Sequence, residues 1–160
     1  MLTSKKKSQK QEKRVADEMK ARVVLASGAL WGSKGDVRND NLLMECKTTC
    51  KPYYTFKFSV WDKILKEAIK DGLRLPVMSI DLEDGKTRLA VFETKDFKMM
   101  PGFSDMNFGV SKLYIHKDSF RLTSPCIFYK IGEPYNPETI IRTYCAVPWE
   151  QFVELFEEEN

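Results

Sequence analysis

Apolar residues recur along the chain at the spacings that are typical of helices and strands. Val15 and Met19 lie four positions apart within residues 8–20, which predicts an amphipathic helix with this side toward a core. The same spacing predicts a second helix that begins at Ser59, with this serine as its cap, and ends before Gly72. Its predicted buried face comprises Trp61, Ile64, Leu65, Ala68 and Ile69.

Alternating and β-branched segments predict the strands, which in the first 93 residues cover 22–26, a hairpin over 36–49, and then 53–58, 76–82 and 86–92. The last two are joined at Asp84-Gly85, a dipeptide typical of hairpin turns. Beyond residue 92 the pattern predicts a loop over 99–109, strands over 112–116 and 125–131, and a helix over 148–158. Together these elements predict an α/β fold with a mixed central β-sheet flanked by helices.

Length and composition favour a single domain. The chain has 160 residues, 42% of them hydrophobic, which is enough for one core. We expect a basic, flexible N-terminal arm over residues 1–10 and one domain over 11–160, with a core at about 11–93 and an elaboration at 94–160. No apolar run reaches the roughly 18 residues that span a bilayer, and no signal peptide is evident. The sequence therefore predicts a soluble, cytoplasmic protein that does not contact membranes.

Metal-binding patterns built on cysteine or histidine are absent from the sequence. The four cysteines have no C-x-x-C spacing, and His116 is the single histidine. We therefore expect free thiols and no structural zinc site.

The two ends of the chain carry opposite charge. Residues 1–25 contain eight basic and three acidic residues, whereas residues 146–160 contain five acidic residues and no basic one. A lysine-rich tail of this kind is either a solvated solubilising segment or an arm that contacts phosphates. Because residues 36–49 carry candidate groups for binding a cation and a phosphate, we favour the second interpretation. The predicted DNA-binding residues are Lys5, Lys6, Lys7, Lys10, Lys34 and Arg38.

The hairpin over residues 36–49 carries the candidate chemistry. Side chains alternate along a strand, so Glu45 and Lys47 are predicted on the face opposite to Leu42, Met44 and Cys46. Hydrolysis of a phosphodiester needs a hard cation, and Mg²⁺ is typically held by one or two carboxylates and several waters. Asp36 and Glu45 are the candidate carboxylates, and Lys47 is a candidate point charge for water and phosphate. Taken alone, the pattern also fits an exposed hairpin with a surface ion pair.

Further motifs around this hairpin make the sequence resemble the PD-(D/E)XK nuclease superfamily, and within it the archaeal-type and phage-encoded Holliday junction resolvases. The matching segments are Gln11-Glu12-Lys13-Arg14, Ser27-Gly28-Ala29, Lys34-Gly35-Asp36-Val37, Glu45-Cys46-Lys47-Thr48-Thr49, Trp61-Asp62-Lys63-Ile64, Glu67-Ala68 and Pro76-Val77-Met78. One departure is Gly35, which stands where the motif has proline. The resemblance implies a restriction-endonuclease-like core.

The resemblance also implies roles for individual residues. Asp36, Glu45 and the backbone carbonyl of Cys46 would hold Mg²⁺, for which Mn²⁺ would substitute. A carboxylate from the first helix would complete the site; Glu12 is the preferred candidate and Glu18 the alternative. Ser27 would help to place the phosphate or a metal-bound water, although a turn serine beside Gly28 is an equally simple role.

The function that this resemblance implies is a Mg²⁺-dependent, structure-selective DNA endonuclease, specifically a Holliday junction resolvase of a phage or a related mobile element. Such an enzyme cuts four-way junctions to leave a 5′-phosphate and a 3′-hydroxyl. Symmetric cutting predicts a homodimer, for which we expect an interface formed by residues 99–108 and by Trp149, Phe152 and Phe156 of the last helix. Two alternatives are a nuclease of the same superfamily acting on flaps, single strands or specific duplexes, and a non-catalytic DNA-binding protein on a nuclease fold.

Overall fold

The structure is a computed structural model that describes residues 3–24, 35–98 and 100–157. The described residues form four helices and ten strands, in an α/β arrangement. In chain order these are α1 (Ser4–Glu18), β1 (Arg22–Val23), β2 (Val37–Arg38), β3 (Leu42–Thr48), β4 (Tyr54–Lys57), α2 (Phe58–Lys70), β5 (Leu75–Leu82), β6 (Thr87–Glu93), α3 (Thr94–Phe97), β7 (Lys112–Ile115), β8 (Ser119–Leu122), β9 (Cys126–Ile131), β10 (Ile140–Pro148) and α4 (Trp149–Glu157).

Eight of the strands form one mixed central sheet in the order β1-β2-β3-β5-β6-β10-β9-β7. Strands β3 and β5 are parallel and connected through α2, and β7 is parallel to β9, whereas the other neighbours are antiparallel. The predicted α/β class with a mixed sheet is therefore confirmed. The remaining two strands, β4 and β8, pair with each other as a separate antiparallel sheet.

Helices cover both faces of the central sheet. On one face lie α1, through a 2.7 Å ion pair between Arg14 and Asp81 of β5, and α4, through Phe152, whose ring is 5.5 Å from that of Phe92. On the opposite face α2 inserts Trp61, whose indole donates a 2.9 Å hydrogen bond to Glu93. Trp61 and Phe152 are fully buried between these helices and the sheet.

Residues 94–157 complete the sheet in a way that the sequence pattern did not predict. Strand β10 pairs with both β6 and β9 and so lies inside the central sheet, and β8 is the partner of β4. Neither strand was predicted, because the buried residues of β10, 144–147, are consecutive and do not alternate, and β8 has only four residues. The predicted strands at 112–116 and 125–131 and the final helix are confirmed within one or two residues.

Several predicted boundaries are shifted. Helix α1 begins at Ser4, after the cap Thr3, so most of the segment predicted as an N-terminal arm is helical. Helix α2 begins at Phe58 and has no side-chain cap, which excludes the predicted capping role of Ser59. The predicted buried residue Ile69 is 51% exposed because it lies on the solvent side of α2. Strand β1 spans Arg22–Val23, and residues 25 and 26 of the predicted strand lie outside the described residues.

The residues predicted to form a dimer interface are mostly part of the core. Trp149 and Phe152 are 1% and 0% exposed, and Met106 is 7% exposed. Phe103 and Phe108 pack on the core, with ring centroids 5.1 Å apart. Met99 lies outside the described residues. Trp149, Phe152 and Met106 are therefore not available to an interface, and whether the chain dimerises stays a prediction.

Two expectations about the whole chain can be compared with the structure. All four cysteines are free thiols, and three of them, Cys46, Cys126 and Cys145, are buried, as expected. Within the described residues, no helix combines the length and the apolar character needed to cross a bilayer.

Candidate active site

Among the described residues, strand β2 covers only part of the edge of strand β3. Strand β2 pairs with β3 only at Met44 and Leu43. Just before β2, the Asp36 amide donates a 3.0 Å hydrogen bond to the Met44 carbonyl, and the Asp36 carboxylate accepts a 2.8 Å bond from the Cys46 amide. The predicted hairpin is thus confirmed, and a carboxylate occupies the position where a longer β2 would have paired.

Glu45 and Lys47 project from β3 on the same face, as the alternation predicted. Their side chains form a 2.7 Å ion pair and are 19% and 35% exposed, respectively. The opposite face of β3 is closed, because Leu42 and Met44 are fully buried. Glu45 and Lys47 therefore form a half-buried pair at the sheet edge, and this excludes the alternative of a freely solvated surface pair.

Helix α1 brings Glu12 to the same edge. The neighbouring Gln11 is buried, and its amide nitrogen donates to the carbonyls of Lys47 (3.0 Å) and Ser79 (3.1 Å). Both partners are acceptors, so the amide orientation is determined, and the helix is anchored across β3 and β5. Glu12 consequently lies close enough to Asp36 and Glu45 for their charges to act on it.

The three carboxylates repel one another. Burial, followed by the charges of Asp36 and Glu45, raises the pKa of Glu12 above its usual value. Burial and the charge of Asp36 likewise raise the pKa of Glu45, although Lys47 opposes this. Repulsion of this kind is relieved by protonation or by a bound cation.

Lys47 remains a cation in this environment. Burial acts to lower its pKa, but the hydrogen bond to Glu45 and the charges of Glu45 and Asp36 outweigh burial, so the pKa is raised. An ammonium group with a raised pKa is a poor proton acceptor at neutral pH. Lys47 is therefore suited to hold an anion or orient a water, and not to act as a general base.

The donor set at this edge fits a hard divalent cation. Within the described ranges no three acidic, histidine or cysteine side chains lie close enough to form a ready-made metal cluster. Mg²⁺, however, is commonly held by one or two carboxylates with waters. Asp36 and Glu45 supply these, and the Cys46 carbonyl points toward Asp36, because the N–H and C=O of one strand residue share a side. All of these donors are oxygens, as Mg²⁺ prefers.

The structure separates the two candidates on α1. Glu18 accepts hydrogen bonds from the Trp149 indole (2.6 Å) and from Arg88 (2.5 Å), and it lies 4.0 Å from Arg14. These contacts join α1 to α4 and β6, away from the edge of β3. Glu12, and not Glu18, therefore belongs to the acidic group at the candidate site.

The other predicted site residues are placed differently. Ser27 and Lys34 lie outside the described residues. Arg38 lies opposite Leu43 at the turn end of the hairpin, where it is paired at 2.8 Å with Asp71. Lys7 is half-buried and pairs at 2.8 Å with Asp84. The remaining predicted DNA-binding residues, Lys5, Lys6 and Lys10, are exposed on α1.

Two residues near the site were not predicted. Glu67 of α2 is 17% exposed in its side chain, and its charge contributes to the raised pKa of Glu45. Tyr54 of β4 is half-buried, and the charges of Lys47 and Glu45 act on its phenol. Glu67 stands in one of the segments that match the superfamily but was given no role, and no motif marks Tyr54. Both reach the site through tertiary contacts. One signal was available: Glu67 follows Ile64 by three positions, on the inner side of the helix.

Comparisons of the chain with protein-family models, with curated proteins and with solved structures found no match. Function is therefore inferred from the geometry and the charges of the site.

Proposed function

We propose that this protein is a Mg²⁺-dependent structure-selective DNA endonuclease with a restriction-endonuclease-like core, and that it resolves four-way DNA junctions. The observation that carries the proposal is the convergence of Asp36, Glu45 and Lys47 at the edge of β3, with Glu12 contributed by α1. The order of α1, the β2–β3 hairpin, α2 and the parallel strand β5 also agrees with the core that the PD-(D/E)XK resemblance implies.

Each residue has a role that follows from its surroundings. Asp36, Glu45 and the Cys46 carbonyl would hold Mg²⁺, or Mn²⁺ in its place, and a bound ion would supply positive charge to the phosphate and acidify a water. Lys47, fixed at 2.7 Å by Glu45, would orient that water and stabilise negative charge on the phosphate oxygens. Glu12 would accept hydrogen bonds from waters at the site. In-line attack by the water oxygen would then release a 3′-hydroxyl and leave a 5′-phosphate.

DNA is the proposed substrate because the helix that carries Glu12 also carries exposed lysines. Lys5, Lys6 and Lys10 lie on α1 within two turns of Glu12. Such a group of cations favours binding of a phosphate backbone. The specific substrate proposed is a four-way junction, which a homodimer would cut. Each subunit has one site, so paired cuts require two subunits.

The test compares cleavage of a four-way junction, a flap and a plain duplex with Mg²⁺ and with Mn²⁺. Asp36→Asn and Glu45→Gln should abolish cleavage while binding of the junction persists. Asp40→Asn is a matched control, because Asp40 is an exposed carboxylate at the turn of the same hairpin. Paired symmetric cuts in the junction support a resolvase. Cleavage of flaps or duplexes alone would assign another nuclease activity to the site, and no cleavage with either ion would refute the proposal.

Light scattering tests the dimer. The dimer should have about twice the 18.6 kDa mass of the chain. A mixed dimer of wild-type and Asp36→Asn subunits should nick one strand without resolving the junction. Paired cuts by a monomer would contradict both the dimer and the resolvase assignment.

A further inference from the structure

The two-stranded sheet β4–β8 forms a ribbon beside the candidate site, and we call residues 51–57 together with 117–122 the basic ribbon. Its register pairs Tyr54 with Leu122, Thr55 with Arg121, and Lys57 with Ser119. Only five residues separate the end of β3 from the start of β4. The ribbon is therefore held close to Glu45 and Lys47 by the chain itself.

The inner face of the basic ribbon is anchored in the core. Phe56 is fully buried, and its ring lies 5.3 Å from Phe128 and 5.8 Å from Tyr144 of the central sheet. Leu122 is also buried. Because side chains alternate along both strands, this anchoring turns Thr55, Lys57 and Arg121 outward, and all three are exposed. The outer face is thus presented on a rigid support.

The outer face gathers positive charge around an aromatic ring. The Arg121 guanidinium lies 4.5 Å from the centre of the Tyr53 ring, and the Lys51 ammonium lies 5.5 Å from it. Within the parts of the chain that the structure describes, Lys51, Lys57 and Arg121 form no ion pair with a carboxylate. The ribbon segments contain four basic residues and one acidic residue, Asp118. Asp118 lies at the Lys57 end and is 3.9 Å from Lys130. The Tyr53 end therefore carries two cations that form no ion pair among the described residues, with Glu83, whose amide donates to the Lys51 carbonyl, in the adjacent turn.

This charged end adjoins the candidate site. Tyr54, the neighbour of Tyr53, faces inward and lies near enough to Lys47 and Glu45 for their charges to act on its phenol. The side chains on either side of Tyr54 in the ribbon, Tyr53 and Thr55, belong to the outer surface. The outer surface faces away from Tyr54 and adjoins the site at its Tyr53 end.

We propose that the outer face of the basic ribbon binds the phosphate backbone of a DNA duplex arm that leads into the site. Duplex DNA carries a regular array of phosphates, and Lys and Arg bind it without sequence preference by releasing counterions. A two-stranded ribbon is also narrow enough to lie along the major groove. Duplex binding can be measured without cleavage, but the adjacency to a catalytic site rests on the proposed function.

The test measures binding of a fluorescently labelled duplex DNA in EDTA, over a range of salt concentrations. The variant carries Lys51→Gln, Lys57→Gln and Arg121→Gln. The matched control carries Lys66→Gln, Lys70→Gln and Lys98→Gln, which remove the same charge from exposed positions outside the ribbon. The slope of log affinity against log salt should fall by roughly 0.9 for each lost phosphate contact, or about 2.7 in total, in the ribbon variant. The control should keep the wild-type slope. Circular dichroism establishes that both proteins are folded.

Each outcome decides the proposal. A reduced slope in the ribbon variant alone supports it. Equal slopes in the two variants, or no duplex binding by the wild type, would overturn it, even if the wild-type protein cleaves junctions with Mg²⁺. Tighter binding of a matched RNA duplex would assign the surface to RNA and would also overturn it. If the triple variant does not fold, hydrogen exchange of the wild-type protein decides, because bound DNA should protect residues 51–57 and 117–122.

Discussion

Glu18 offers the sharpest test of how the structure divides roles along α1. Glu18 and Glu12 are carboxylates on one helix, and the sequence pattern allowed either to complete the site. In the structure the Glu18 side chain joins α1 to Trp149 and Arg88. The Glu12 side chain forms no hydrogen bond or ion pair within the described residues. Glu18→Ala should therefore reduce stability, and Glu12→Ala should reduce cleavage.

The loss in free energy of unfolding expected for Glu18→Ala depends on which hydrogen-bonding groups the substitution leaves unpaired. The Trp149 indole is 1% exposed, so loss of its 2.6 Å acceptor leaves a buried donor and costs about 1–3 kcal/mol. Arg88 would keep its ion pair with Glu150 at 3.3 Å and lies 3.9 Å from Asp81, so losing the Glu18–Arg88 ion pair should cost less free energy. We expect a total of about 2–3 kcal/mol, which for a chain of this size lowers Tm by roughly 4–12 °C.

The assay combines thermal unfolding, followed by circular dichroism, with single-turnover cleavage at a temperature where both variants are folded. Glu12→Ala should leave the free energy of unfolding within about 0.5 kcal/mol of wild type, because it removes a group that other carboxylates repel. Its cleavage rate should fall by orders of magnitude. Glu18→Ala should cleave at nearly the wild-type rate.

An intermediate variant refines the comparison. Glu18→Gln keeps an oxygen that can accept from Trp149 but removes the charge that binds Arg88. It should lie between wild type and Glu18→Ala in Tm. Wild-type stability of Glu18→Ala would refute the structural role of this carboxylate, and loss of cleavage in folded Glu18→Ala would return Glu18 to the site.

Three further predictions concern the site and the core. Asp36→Asn should lower the pKa of Glu45 toward its usual value, because the repulsion from the Asp36 carboxylate is removed. Carboxyl ¹³C NMR titration of the metal-free protein measures this pKa, and an unchanged pKa would contradict the prediction. Since the folded state raises this pKa and so binds the proton more tightly, metal-free wild type should lose stability as pH rises above the usual Glu range. Asp36→Asn should reduce that loss in urea unfolding at several pH values. Trp61→Phe should destabilise by about 1–3 kcal/mol in urea, because it removes the indole donor of buried Glu93; wild-type stability would exclude this role.

Much of the first half of the fold could be predicted because local patterns and tertiary structure agree there. The β2–β3 hairpin, helix α2 and the β5–β6 hairpin each have a clear period and a turn signal, such as Asp84-Gly85 with its positive φ angles. Strand β10 could not be predicted from local patterns. Its buried residues include Tyr144 and Cys145, and their burial depends on pairing with both β6 and β9, which no local pattern specifies.

The sequence by itself determined which side chains of β3 share a face. Alternation along the strand places Glu45 and Lys47 on one face and Met44 on the other. Only the tertiary structure decided which groups join them. The anchoring of Gln11 across β3 and β5 brings Glu12 to the site, while Trp149, 131 residues from Glu18 along the chain, holds Glu18 away from it. The basic ribbon likewise depends on the pairing of β4 with β8, more than 60 residues away. The physical reason is that a strand's period is a local property of the backbone, whereas the partners of a polar side chain are set by long-range packing.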